Sequence, residues 1–133
     1  FYEKLGIIMK KSILIVEDDE ICKKFTMSCL KEFYELDSAR NGLQAIELAS
    51  QKNYDAILMD INLGKGINGI ETTCEIRKFN DYKSTPVIAV TAYVGENEKN
   101  NFFKNGCSHY LSKPFNKTEL NSLLSEILNQ KPR

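Results

Sequence analysis

The 133-residue chain has no tryptophan, a single histidine, three prolines and a formal net charge of zero. Each scarcity removes a class of explanation. Eighteen basic residues against eighteen acidic ones leave no electrostatic footprint for DNA, RNA or an anionic membrane. No apolar run approaches the ~20 residues that span a bilayer. Leu5–Met9 is far too short, and no signal peptide pattern is present. The four cysteines, Cys22, Cys29, Cys74 and Cys107, form no C-x-x-C pair. Three fall at apolar positions of helical patterns, so free buried thiols in a reducing, cytoplasmic setting are expected. His109 has no partner motif and reads as structural rather than as a phosphate donor.

What is present is an ordinary globular composition, 42% hydrophobic and 27% charged, at a length that suits one domain. Residues 1–11 read as an N-terminal extension or linker remnant, 12–129 as the domain, and 130–133 as a polar tail. Apolar runs alternate with amphipathic helical patterns along the chain. Strands are expected at Ser12–Val16, about Tyr34–Ser38, around Ala56–Met59, after Pro86, and at His109–Ser112. Helices are expected from about Glu20 to Lys31, with Ile21, Phe25 and Cys29 on one face, and after the Asn41–Gly42 turn signal. A third carries Ile70, Thr73, Cys74 and Ile76. A fourth spans about Glu96–Lys104 and is rich in asparagine, a poor helix former, with only Phe102 and Phe103 as large anchors. The fifth is capped by Asn116 with Glu119 at the capping-box position. Five β–α units predict an α/β doubly wound fold with a five-stranded parallel sheet.

Four of these strands end on a polar group. Ile13–Val16 runs into Glu17–Asp18–Asp19, Ala56–Met59 into Asp60, Val87–Val90 into Thr91, and Tyr110–Ser112 into Lys113. In a parallel sheet these ends converge on the carboxyl edge, where ligands bind. Taken singly, each has a plainer reading: an aspartate after a strand caps or turns, Thr91 ends a strand, and Lys113 is a solvated lysine. Together they describe a site. Glu17, Asp18 and Asp60 would repel one another unless a cation joined them. An all-oxygen donor set without histidine or cysteine favours Mg²⁺ over zinc. Mg²⁺ keeps few protein ligands, which leaves one carboxylate free to accept a phosphoryl group. Lys113 would supply positive charge to that group, and the Thr91 hydroxyl and Ala92 N–H would supply hydrogen bonds.

The stretches Ile13–Asp19, Leu58–Leu63, Val90–Thr91–Ala92 and Tyr110–Phe115 resemble the receiver domains of two-component response regulators, over about Ser12 to Leu128. The resemblance implies a flavodoxin-like receiver fold with strand order 2-1-3-4-5. It implies Asp60 as phosphoacceptor, Glu17 and Asp18 as the acidic pair, and the Asn62 carbonyl as a further Mg²⁺ ligand. Thr91 and Tyr110 would be a switch pair, and the Lys113–Pro114 bond would be cis. The phosphoryl donor would be a histidine kinase or histidine phosphotransfer protein. A downstream effector would read the surface of helix 4, strand 5 and helix 5, in a stand-alone receiver or the C-terminal receiver of a hybrid kinase. The module would be a signalling domain that assists its own phosphorylation and dephosphorylation rather than an enzyme. Two departures stand out. Gly64–Lys65–Gly66 occupies the place of the usual Pro–Gly turn, and the spacing from Asp60 to Gly69 is one residue longer than that pattern. Bulky Tyr93, two places after Thr91, would flank the phosphoryl position, where it is expected to slow attack by water. A haloacid-dehalogenase-like phosphatase also phosphorylates an aspartate after a strand, but it needs an acid two residues on, and that place is Asn62. A flavodoxin-like cofactor module would want a phosphate-cradling loop after strand one, where Glu17–Asp18–Asp19 would repel phosphate.

Overall fold

A computed structural model describes residues 10–92 and 95–128. The expected extension (apart from residues 10–11), the tail and Tyr93 lie outside the described residues. The chain alternates β1 (Ser12–Val16), α1 (Glu20–Leu30), β2 (Glu35–Ala39), α2 (Gly42–Gln51), β3 (Ala56–Asp60) and α3 (Gly69–Arg77). After a 3₁₀ turn at Asn80–Tyr82 come β4 (Val87–Thr91), α4 (Glu96–Lys104), β5 (His109–Ser112) and α5 (Lys117–Leu128). The strands form one parallel sheet in the order β2-β1-β3-β4-β5. This is the doubly wound architecture expected from the alternation.

The three inner strands are buried along their whole length, which is why they read as continuous apolar runs. Alternate residues face opposite sides. Leu14, Val16, Ile57 and Met59 pack with Ala45 and Ala49 of α2, Ile76 of α3 and Phe102 of α4. Ile13, Ile15, Leu58 and Ile88 pack with Cys29 and Leu30 of α1 and Leu120 and Leu124 of α5. Two apolar layers therefore fix the sheet between two sets of helices, and polar side chains at the strand ends are left at the rim.

The helix boundaries follow local chemistry. Asn116 and Glu119 make the expected reciprocal cap of α5: the Glu119 N–H donates to Asn116 Oδ1 at 2.8 Å, and the Asn116 N–H to Glu119 Oε1 at 3.0 Å. Asn68 and Glu71 cap α3 in the same way. Asn41, expected in a turn, instead caps α2, its Oδ1 accepting from the Gln44 N–H at 2.8 Å. Gly42 is required there by packing: a Cβ would stand 2.2 Å from Thr72 Oγ1 and 2.5 Å from Ile67.

The face of α1 differs from expectation. Ile21 is 81% exposed and Phe25 45%, whereas Thr26, Cys29 and Leu30 are buried. The inward stripe runs Cys22–Thr26–Cys29–Leu30, about one residue round from the apolar series, because Thr26 packs inward despite its hydroxyl. Leu43 of α2 is likewise exposed. β2 begins at Glu35, one residue late, with Tyr34 buried beneath it. Among the described residues no helix is long and apolar enough to cross a membrane.

Candidate functional site

The strand ends meet as their order requires. β1 and β3 are adjacent and in register, so Glu17, one step past β1, stands beside Asp60, the last residue of β3. β4 flanks β3 on the other side and brings Thr91 to the same level, and the Lys113 N–H donates to the Thr91 carbonyl at 2.8 Å. Asp60, Glu17 and Thr91 are all buried, at 5%, 7% and 1% exposure. Asp18 is exposed on the rim.

One carboxylate oxygen from each of Glu17, Asp18 and Asp60 lies within 4.8 Å of the other two. Lys113 Nζ donates to Glu17 Oε1 at 3.0 Å and stands 3.6 Å from Asp60 Oδ2. Three acids facing one lysine leave net negative charge in a poorly solvated place. Burial, and then the neighbouring Asp60, push the Glu17 carboxyl up from 4.5 to about 7, against the pull of Lys113. Burial alone would lower the Lys113 ammonium, but Glu17 and Asp60 outweigh it and its pKa is raised.

The backbone orients the acids. The Asn62 N–H donates to Asp60 Oδ1 at 3.1 Å, and the Gly64 N–H to Asp18 Oδ2 at 3.0 Å. The Asp19 N–H donates to Glu17 Oε2 at 3.2 Å, while the Asp19 side chain caps α1. Gly69 abuts the acceptor from behind: a Cβ there would stand 2.3 Å from the Asp60 carbonyl oxygen. The Gly64 and Gly69 roles act through backbone alone, so no side-chain signal announces them. Lys113–Pro114 is cis, as the resemblance implied. A mostly apolar cavity of about 560 Å³ opens from Asp60 and Lys113 toward Ile21, Phe25 and Phe115.

The donor set fits a hard divalent cation. It is all oxygen, it carries excess negative charge, and its three carboxylates converge closely enough to share one ion. Glu17, Asp18 and Asp60 are the side chains able to hold it. The expected phosphate ligands Thr91, Ala92 and Lys113 come from the two strand ends on the far side of Asp60. Tyr110, on β5, is half-buried and packs against the α2–α3–α4 layer.

Residues 13–125 match the family described as the response regulator receiver domain. The chain is 38% identical over 107 residues to the polar-differentiation response regulator DivK of Brucella anthropi, covering 80% of this chain and 86% of that one. The chemotaxis protein CheY4 of Vibrio cholerae superposes with a TM-score of 0.87 at 26% identity, over 90% of this chain and 100% of that one. The receiver domain of the sensor histidine kinase PA1611 of Pseudomonas aeruginosa superposes with a TM-score of 0.84 at 32% identity. That match covers 92% of this chain and all of the other, and that structure has a magnesium ion coordinated in its active site cleft.

Proposed function

This chain belongs to the response regulator receiver domain family, and from that premise we propose that Asp60 is its phosphoacceptor, with Lys113 and Thr91 as its catalytic partners. As a receiver the chain is a signalling domain of two-component systems. The observation that carries the residue assignment is Lys113 Nζ standing within 3.0 Å of Glu17 and 3.6 Å of Asp60, inside a cluster of three carboxylates.

Glu17, Asp18, Asp60 and the Asn62 carbonyl would hold Mg²⁺. The bound ion would neutralise charge on the transferring phosphoryl oxygens. The phosphoryl group comes from an imidazole nitrogen of a histidine kinase or histidine phosphotransfer protein. A carboxylate oxygen of Asp60 forms the new P–O bond, the P–N bond breaks, and the leaving imidazole takes up a proton from solvent. Lys113 offsets the incoming negative charge. The Thr91 hydroxyl and the Ala92 N–H donate to the phosphoryl oxygens. Thr91 then moves toward the bound group, and Tyr110 turns inward behind it. The altered surface of α4, β5 and α5 is what a downstream effector reads. Tyr93, two residues after Thr91 in the sequence, would slow hydrolysis of the acyl phosphate. The four free cysteines suit a cytoplasmic setting. A phosphatase of the haloacid dehalogenase type is not supported, since Asn62 has no proton to give as an acid.

The test is incubation with a small-molecule phosphodonor and Mg²⁺, followed by intact-mass measurement. The protein should gain one phosphoryl group that survives acid. Asp60→Asn and chelation of Mg²⁺ should each abolish the gain; unchanged labelling of Asp60→Asn would overturn the assignment.

A further inference from the structure

One face of α4 is occupied with the Tyr110 ring rather than with the core. Lys99 Nζ lies 4.6 Å from the ring centroid, and the Phe103 ring meets Tyr110 at 6.4 Å with the planes inclined 62°. The two residues are four apart, so they project from the same side of the helix. Phe102 is the residue that anchors α4, at 3% exposure, while Phe103 remains 44% exposed. A large apolar ring left half in water is explained by its edge contact with Tyr110. Lys99 has the matching chemistry: an ammonium over an aromatic face is attracted by the ring's quadrupole. Its pKa is raised, first by its interaction with the Tyr110 side chain. At the N-terminus of α4, Gly95 provides no side-chain cap.

Resting on the reading of Thr91 and Tyr110 as the switch pair, we propose that Lys99 and Phe103 form a latch that holds Tyr110 against α4 and biases the domain toward its unphosphorylated state. Lys99 is a positioning residue here: it touches neither the phosphoryl group nor Asp60, and acts only through the tyrosine. If turning Tyr110 inward is coupled to phosphorylation, releasing the latch must strengthen binding at Asp60 by the same factor.

The experiment titrates the full chain, in Mg²⁺, with beryllofluoride as a phosphoryl mimic. Its affinity is read by fluorine NMR, and ring orientation by the Lys99 side-chain methylene shifts, which an overlying Tyr110 ring displaces. Lys99→Met keeps the aliphatic stem and removes the cation. The latch predicts roughly two- to five-fold tighter beryllofluoride binding, the factor that an exposed cation–π contact can carry. Ordinary electrostatics predicts the opposite sign, because removing a cation weakens binding of an anion. Lys99→Arg should restore the parent affinity. In a Tyr110→Ala background Lys99→Met should have no tightening effect. Unchanged or weaker binding by Lys99→Met, or equal tightening without Tyr110, overturns the latch. If beryllofluoride binds the parent protein and leaves the Lys99 and Tyr110 signals unmoved, the switch reading falls and the latch falls with it. If those signals move while Lys99→Met changes nothing, the latch alone is wrong.

Discussion

Asp60→Asn should destroy phosphorylation and at the same time stabilise the metal-free fold. Asn is isosteric and keeps an acceptor for the Asn62 N–H, so the substitution mainly removes charge. Asp60 faces two acids within 4.8 Å and one ammonium at 3.6 Å. With an effective dielectric of about 20, each repulsion costs about 3.5 kcal/mol and the attraction contributes about 4.6 kcal/mol. The repulsions win by about 2 kcal/mol, before counting the cost of burying the carboxylate. Thermal unfolding in EDTA at low ionic strength and pH 8 should therefore show a midpoint about 8 °C higher for Asp60→Asn, given the size of the chain. Added Mg²⁺ should reverse the order, raising the parent and hardly moving the variant. The difference has a pH dependence. Glu17, raised to about 7 in the folded state, is protonated below that value. Its raised pKa means that parent stability declines as pH climbs from about 4.5 through about 7. The advantage of Asp60→Asn should shrink accordingly at pH 6. A midpoint in EDTA at pH 8 that is lower for the variant would refute the reasoning.

Other predictions follow from single features. Tyr93→Glu, replacing a bulky ring with an acidic side chain two residues after Thr91, should dephosphorylate faster than the parent in a decay time course; an equal or slower rate would contradict the role given to Tyr93. Arg77 donates to the Gly106 carbonyl at 2.9 and 2.6 Å, to Tyr82 at 2.5 Å and to Thr85 at 2.6 Å, tying α3 to the loops around β4. Lysine lacks that planar fork, so Arg77→Lys should cost about 2–4 kcal/mol in urea unfolding, and a loss under about 0.5 kcal/mol would deny the clamp its importance. Amide exchange should be markedly faster in α4, with its asparagines, than in β3, buried at every position; equal protection would count against α4 as the moving element.

The sheet and the convergence of the candidate site's strand-end residues were legible because buried parallel strands leave an unmistakable mark. A short apolar run that stops on Asp60 or Thr91 declares both its burial and its polar end. Helix α4 was readable to the residue, and the α5 cap from Asn116 and Glu119 alone. Less was readable where burial departs from letter type. Ile21 and Phe25 looked like core, yet the stripe passes through Thr26, whose hydroxyl hides it from an apolar count. Gly42 reads as a turn residue, but it is small, as Gly69 is, because another element presses on it. The Gly64 contact to Asp18 and the fourfold grip of Arg77 on carbonyls depend on backbone groups that no sequence pattern encodes. The Lys99–Tyr110–Phe103 cluster joins two elements through a contact visible only once both are placed.

The central claim is that one carboxylate among three receives the phosphoryl group. Borohydride reduction of the phosphorylated protein converts an aspartyl phosphate to homoserine, and peptide mass spectrometry then locates it. Homoserine is expected at position 60 alone, dependent on both phosphodonor and Mg²⁺. Reduction at Asp18 or Asp19, or none at position 60 in protein that carries phosphate, would contradict it.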